Sequence, residues 1–193
     1  MGPITIAEMS SQSKQALISL LATRSARRGS FTLASGKQSS LYIDARLTTM
    51  SPEGLSLIGP LGLEALGNAH WKVSAIGGLT LGADPIAYAI SYASANTSSP
   101  IRAFTVRKEA KAHGTGKLIE GPFEARDRVA IVEDVITTGA SAGRAIEAVR
   151  AAGGDVVGVL ALVDRQEGGR EFLEKMGLPV ISLVSAAEIL ATS

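Results

Sequence analysis

Arg128-Val-Ala-Ile-Val132 is a short apolar run bounded by charge, which reads as a buried strand. Past Glu133-Asp-Val-Ile-Thr-Thr-Gly-Ala140 the pattern changes to Ser141-Ala-Gly-Arg-Ala-Ile-Glu-Ala-Val-Arg150, where Ala142, Ala145, Ile146 and Val149 recur at helical spacing. Ala151-Ala-Gly-Gly154 stops that helix, with glycine in its usual C-terminal place. Asp155-Val-Val-Gly-Val-Leu-Ala-Leu-Val163 is the next strand. The three segments form one strand–helix–strand unit.

Working outward, a second unit lies upstream. Val73 to Ile76 reads as a strand, Gly77-Gly-Leu-Thr-Leu-Gly82 as a loop, Ala83 to Ala93 as a helix and Ile101 to Val106 as a strand. Pro179 to Val184 reads as a further strand, Ser51 to Ala69 as a flanking helix and Ala7 to Arg27 as an N-terminal helix. Phe31 to Ile43 reads as two short strands around a Ser-Gly turn. Alternating strands and helices predict an α/β fold, a mostly parallel twisted sheet flanked by helices. Residues 1–50 form a small N-terminal hood, and the expected organisation is a single domain over 1–193.

Composition narrows the function classes. The 193 residues carry 19 Lys+Arg and 18 Asp+Glu, for a net charge of +1, and are 46% hydrophobic, enough to bury a core. No cysteine is present, which excludes disulfides, thiolate zinc sites and cysteine nucleophiles. The two histidines, His70 and His113, are too few for a zinc site, and His70 beside Trp71 reads as structural. Balanced charge and one Trp, three Tyr and four Phe argue against a nucleic-acid binder. No apolar run approaches the roughly 20 residues of a membrane span. Met1 to Gln15 carries no signal-peptide pattern, so a cytoplasmic location is expected.

Two stretches carry chemistry. Glu133 and Asp134 fall at the carboxyl edge of the sheet, where open α/β folds bind ligands. Thr137, Thr138, Gly139, Ala140 and Ser141 can wrap a phosphate with N–H groups and hydroxyls, at the positive end of the following helix. The Walker pattern is absent. The acids would repel a phosphate, so they suit sugar hydroxyls or a developing positive charge instead. Acids followed by a phosphate cradle suggest a ribose 5-phosphate; an ordinary strand–turn–helix capped by Thr and Ser is the other reading. The second stretch, Arg107-Lys-Glu-Ala-Lys-Ala-His-Gly-Thr-Gly-Lys-Leu-Ile-Glu-Gly121, is a polar, glycine-rich segment too long for an ordinary connection, and reads as a functional segment or a solvated excursion.

These residues resemble the type I phosphoribosyltransferases, whose signature is a hydrophobic strand, two acids, two residues and T-T-G before a helix. Three further stretches are similar to orotate phosphoribosyltransferase: Phe31 to Lys37 with Leu41-Tyr-Ile-Asp44, the basic Arg107, Lys108, Lys111 and His113 loop, and Leu162-Val-Asp-Arg-Gln166. The resemblance runs collinearly from about Phe31 to Val184. It implies magnesium-dependent transfer of ribose 5-phosphate from 5-phospho-α-D-ribose 1-diphosphate to orotate, giving orotidine 5′-monophosphate. By the same resemblance, Glu133, Asp134, Val135, Ile136 and Thr137 to Ser141 bind the phosphoribosyl group. Arg107, Lys108, Lys111 and His113 neutralise the diphosphate, and Arg165 with Thr137 meets orotate. Glu133, Asp134 and Lys111 are the implied catalytic residues. Magnesium is implied to ride mainly on the substrate, with no direct protein ligand, and residues 107–121 to be a mobile active-site loop that a homodimer shares across its interface.

The chain departs from the family pattern at Ala34, where many members carry a lysine, and at Thr80-Leu81, where many carry Tyr-Lys. Lys37 and Arg46 are candidates to compensate, and a heavier dependence on Lys111 and magnesium is expected; Lys111→Ala with near wild-type kcat would refute it. Two rival readings remain at this level. A purine or uracil phosphoribosyltransferase would not need Arg165 as a carboxylate clamp. A phosphoribosyl-diphosphate-sensing regulator would carry an added DNA-binding domain or a basic face.

Overall fold

The computed structural model describes residues 6–32, 38–109 and 117–192. Ala34, Lys37, Lys111 and His113 lie outside the described residues, as does the Ser-Gly turn. The elements are α1 Ile6–Leu20, continued by a π-helical turn Leu21–Ser25; β1 Ala26–Thr32; β2 Gln38–Ile43; α2 Arg46–Thr49; α3 Pro52–Asn68; β3 Ala75–Leu79; and α4 Ala83–Ser94. They continue with β4 Arg102–Val106, β5 Ile119–Glu120, β6 Arg128–Ile136, α5 Ala140–Ala151, β7 Asp155–Asp164, α6 Gly169–Lys175, β8 Val180–Ser185 and α7 Ala186–Thr192.

Six strands form the main sheet in the order β5-β4-β3-β6-β7-β8, parallel except for β5 at the edge. β6 and β7 read as continuous apolar runs because helices cover both their faces. Alternate residues feed two cores. Ala130 and Val132 pack with Leu17, Ile58, Ile86 and Ile90 on the side of α1, α3 and α4, whereas Val129 and Ile131 pack with Ile146, Val149 and Leu173 under α5 and α6. This is the mostly parallel, helix-flanked α/β architecture that the alternating pattern predicts. β1 and β2 pair antiparallel as a separate ribbon near the N-terminus.

Local differences from the sequence expectation have physical causes. The N-terminal helix stops at Ser25 rather than Arg27, because Ala26, Arg27 and Arg28 are captured by pairing with Ile43, Tyr42 and Leu41. Gly77 and Gly78, expected in a loop, belong to β3. A Cβ at Gly77 would stand 2.2 Å from the Phe104 carbonyl oxygen, and one at Gly78 would stand 2.1 Å from that of Val132. These glycines mark close backbone approach, not a turn. The 107–121 segment is not all loop: Ile119 and Glu120 pair with Val106 and Thr105, and the Arg107 N–H donates to the Leu118 carbonyl. α2, α6 and α7 were not expected; each is seven residues or fewer, too short for a periodic apolar signal.

His70 takes the left-handed position that ends α3, with φ 56°. Its N–H donates to Gly67 and that of Trp71 to Leu66, so its role is a helix stop at the amino edge of the sheet. Among the described residues no helix is long and apolar enough to cross a membrane.

Candidate active site

β6 pairs with β3 only as far as Gly78↔Val132, but with β7 as far as Ile136↔Asp164. Beyond Val132 the strand is therefore backed on one side and open on the other. Glu133, Asp134 and Val135 occupy this stretch, inside the strand rather than past its end as the apolar run suggests. They line a cleft of about 300 Å³ with Asp44, Arg46, Thr80, Leu81, Gly82, Lys108 and Ser141. The sheet's open edge, the β2–α2 junction and the β3–α4 turn form its walls.

Burial and the neighbouring Asp134 push the Glu133 carboxyl up to about 8. Burial also raises Asp134, against the pull of the Val135 N–H that donates to its Oδ1 at 2.9 Å. Asp44 faces the same cleft and is held low by Arg46, whose Nε and Nη2 donate to its two carboxylate oxygens at 2.8 and 2.9 Å. The cleft thus presents three carboxylates and two cations, Arg46 and Lys108. Among the described residues no cluster of three or more His, Asp or Glu could hold a metal ion.

The turn after β6 is built for close approach. Gly139 has φ +79°, and α5 starts at Ala140. Gly169, at the start of α6, packs under the turn: a Cβ there would lie 2.5 Å from the Thr137 carbonyl and 2.8 Å from the Gly139 nitrogen. Ala140 N–H donates weakly to Thr138 Oγ1 at 3.4 Å. N–H groups in the first turn of a helix have no intrahelical acceptor, so they point toward whatever enters the turn.

Three other expected residues, Ile136, Arg107 and Arg165, do not line this cleft. Ile136 turns its side chain into the core, 1% exposed, and presents only backbone; its carbonyl accepts from Arg165 N–H at 3.0 Å. Arg107 reaches Glu120 at 3.5 Å and lines a neighbouring pocket with Leu118 and Arg144. Arg165 is buried at the end of β7, its Nη2 donating to Glu167 Oε1 at 2.7 Å. Asp164 points the other way and holds Arg170 at 2.8 Å, as the alternation of a strand requires.

The sequence gives no site role to Gly82 or to Tyr42, which also lines the cleft, nor to Asp84 and the Gly168-Gly169 pair. Two signals were available: an acid in the first turn of a helix after Gly82-Ala83, and a double glycine following Arg165-Gln-Glu167.

No family model matches the chain. Orotate phosphoribosyltransferase of Aquifex aeolicus (strain VF5) is 51% identical over 160 residues, 83% of this chain and 86% of that protein. The chain belongs to the orotate phosphoribosyltransferase family. Mycobacterium tuberculosis orotate phosphoribosyltransferase, solved with Fe(III) dicitrate, superposes with a TM-score of 0.80 at 44% identity, over 92% of this chain and 98% of that one. The same enzyme solved with 5-phospho-alpha-D-ribosyl 1-diphosphate gives 0.75 at 40% identity, over the same shares. The β3–α4 turn of this chain carries Thr80 and Leu81, joined by a cis peptide bond, and Leu81 is 58% exposed at the cleft rim.

Proposed function

We propose that the cleft beyond the end of β3 is where this orotate phosphoribosyltransferase moves ribose 5-phosphate from phosphoribosyl diphosphate to orotate, a step of UMP biosynthesis. The observation that carries the reading is the placement of Glu133 and Asp134 on the open edge of β6, followed at once by the Thr137–Gly139 turn and the start of α5. The C1–oxygen bond to diphosphate breaks and a bond from C1 to a ring nitrogen of orotate forms. Orotate reacts as the ring anion, so no protein base is assigned.

In this reading the 5-phosphate rests on the N–H groups and hydroxyls of Thr137, Thr138, Gly139, Ala140 and Ser141. Glu133 and Asp134 accept from the ribose hydroxyls and stabilise the oxocarbenium-like transition state. Lys108 with Arg107, Lys111 and His113 neutralises the leaving diphosphate, and the loop excludes water as it closes, reaching across a homodimer. Magnesium would be held chiefly by the substrate's diphosphate and hydroxyls, with no direct protein ligand assigned. Bound to the substrate, the metal would supply charge neutralisation on the leaving group. A cytoplasmic location belongs to the same reading.

The test follows orotate loss by absorbance with phosphoribosyl diphosphate and magnesium, with uracil, hypoxanthine and adenine in parallel. Turnover with orotate alone, abolished by chelator, is expected; turnover with a neutral base instead would overturn the reading.

Two substitutions separate the ends of the site. Arg165 would have to turn from Glu167 to meet the orotate carboxylate; Arg165→Ala removes that guanidinium and should raise KM for orotate about thirty-fold, leaving KM for phosphoribosyl diphosphate unchanged. Arg46 supplies a cation on the cleft wall where Leu81 supplies none. Arg46→Ala also uncovers the Asp44 carboxylate, so both consequences disfavour an anionic ligand. KM for phosphoribosyl diphosphate should rise about ten-fold, and steady-state kinetics varying each substrate would check both.

A further inference from the structure

Asp84, in the first turn of α4, does not line the cleft, yet its carboxylate holds a residue that does. Thr80 Oγ1 donates to Asp84 Oδ2 at 2.6 Å, and Thr105 Oγ1, on β4, donates to Asp84 Oδ1 at 2.9 Å. Tyr88 hydroxyl lies 2.8 Å from Thr105 Oγ1; since the Thr105 proton is committed to Asp84, the tyrosine donates. Two backbone bonds complete the frame: Thr80 N–H to the Val106 carbonyl at 2.8 Å and Asp84 N–H to the Leu81 carbonyl at 3.3 Å. The turn from Thr80 to Gly82 is thereby tied to β4 on one side and to α4 on the other. At its far end Gly82 abuts the Asp134 carboxylate closely enough to exclude a methyl group.

We infer that Asp84 is a positioning residue for phosphoribosyl transfer, fixing the Thr80–Gly82 wall of the cleft against Asp134. The inference rests on the cleft being the phosphoribosyl diphosphate site. A wall misplaced by an ångström is enough to lower catalysis ten- to a hundred-fold without touching the reacting atoms.

The test is a double-mutant cycle on the full chain with Asp84→Ala, Thr80→Val and both together, reading kcat, KM for each substrate and the unfolding midpoint. Each single variant is expected to lower kcat/KM for phosphoribosyl diphosphate about ten-fold while KM for orotate stays within two-fold, and the double variant to be no worse than Asp84→Ala alone. Asp84→Asn should recover most of the loss, because its amide oxygen accepts from Thr80 and its amide nitrogen donates to Thr105, freeing that hydroxyl to donate to Tyr88. Thr80→Val removes only a hydroxyl and tests the contact even if Asp84→Ala fails to fold. Wild-type kinetics in Thr80→Val, or losses that multiply in the double variant, would overturn the inference. A wild-type protein without orotate turnover would instead overturn the cleft's assignment, and this inference with it.

Discussion

Replacing Gly82 with alanine is expected to lower kcat/KM for phosphoribosyl diphosphate about a hundred-fold and to leave the unfolding midpoint within a few degrees of wild type. The backbone has no objection to the change: Gly82 sits at φ −60° and ψ −42°, where alanine is at ease and slightly reduces unfolded-chain entropy. The obstacle is Asp134. A Cβ at position 82 would lie 2.4 Å from Asp134 Oδ2, 2.5 Å from its Cγ and 2.7 Å from its Oδ1. The α4 side of this contact is anchored by buried Ala83 and Ile86, so the short carboxylate must move. Displaced, it gives up the Val135 N–H and its place in the cleft. Kinetics and thermal unfolding on one preparation decide the matter, and near wild-type turnover would show that the Asp134 position is not critical.

Glu133 gives the second large effect, and its sign differs between stability and activity. With its carboxyl raised to about 8, the folded protein holds a proton at pH 7 that the unfolded chain has already lost. Stability therefore falls as pH rises from the ordinary carboxylate range, near 4.5, through about 8, and the destabilisation is complete above that. A ligand whose hydroxyls donate to Glu133, or a ribose becoming cationic beside it, favours the ionised form. Binding of phosphoribosyl diphosphate should then release a proton, and kcat/KM should rise with pH toward an apparent pKa near 8. Glu133→Gln should abolish both the proton release and the rising limb and cut kcat about a hundred-fold. It should also be more stable than wild type at pH 9. Titration calorimetry in buffers of different ionisation enthalpy, with unfolding midpoints from pH 5 to 9, reads all of these. A Gln variant that keeps the wild-type pH profile would remove Glu133 from the mechanism.

Much of the architecture is legible from local pattern. The apolar run at Arg128–Val132 and the helical spacing of Ala142, Ala145, Ile146 and Val149 reappear as β6 and α5, because burial on both faces demands those residue types. The acids and the Thr-Thr-Gly turn lie together in sequence, so one strand end carries them to one place. Elements without such a pattern escaped. β5 is two residues on a sheet edge, held by β4 rather than by any preference of Ile119 and Glu120. Gly77-Gly78 carries the composition of a loop, and only the approach of the Phe104 and Val132 carbonyls explains its place in a strand.

The candidate site divides in the same way. Residue types and their order along the chain determined a parallel α/β sheet, an acidic pair at its carboxyl edge and a Thr-Thr-Gly turn before a helix, since strand alternation and helix polarity are properties of the local chain. The end of the β3–β6 pairing one register short of Glu133, the Arg46–Asp44 pair on the cleft wall, the contact of Gly82 with Asp134 and the hold of Asp84 on Thr80 come from tertiary packing. The β3–α4 turn is set against β6 some 50 residues further along the chain, a juxtaposition that no spacing rule encodes. Only the order of strands in the sheet decided it, because distance in space, not in sequence, sets which carboxylate shares a cleft with which turn.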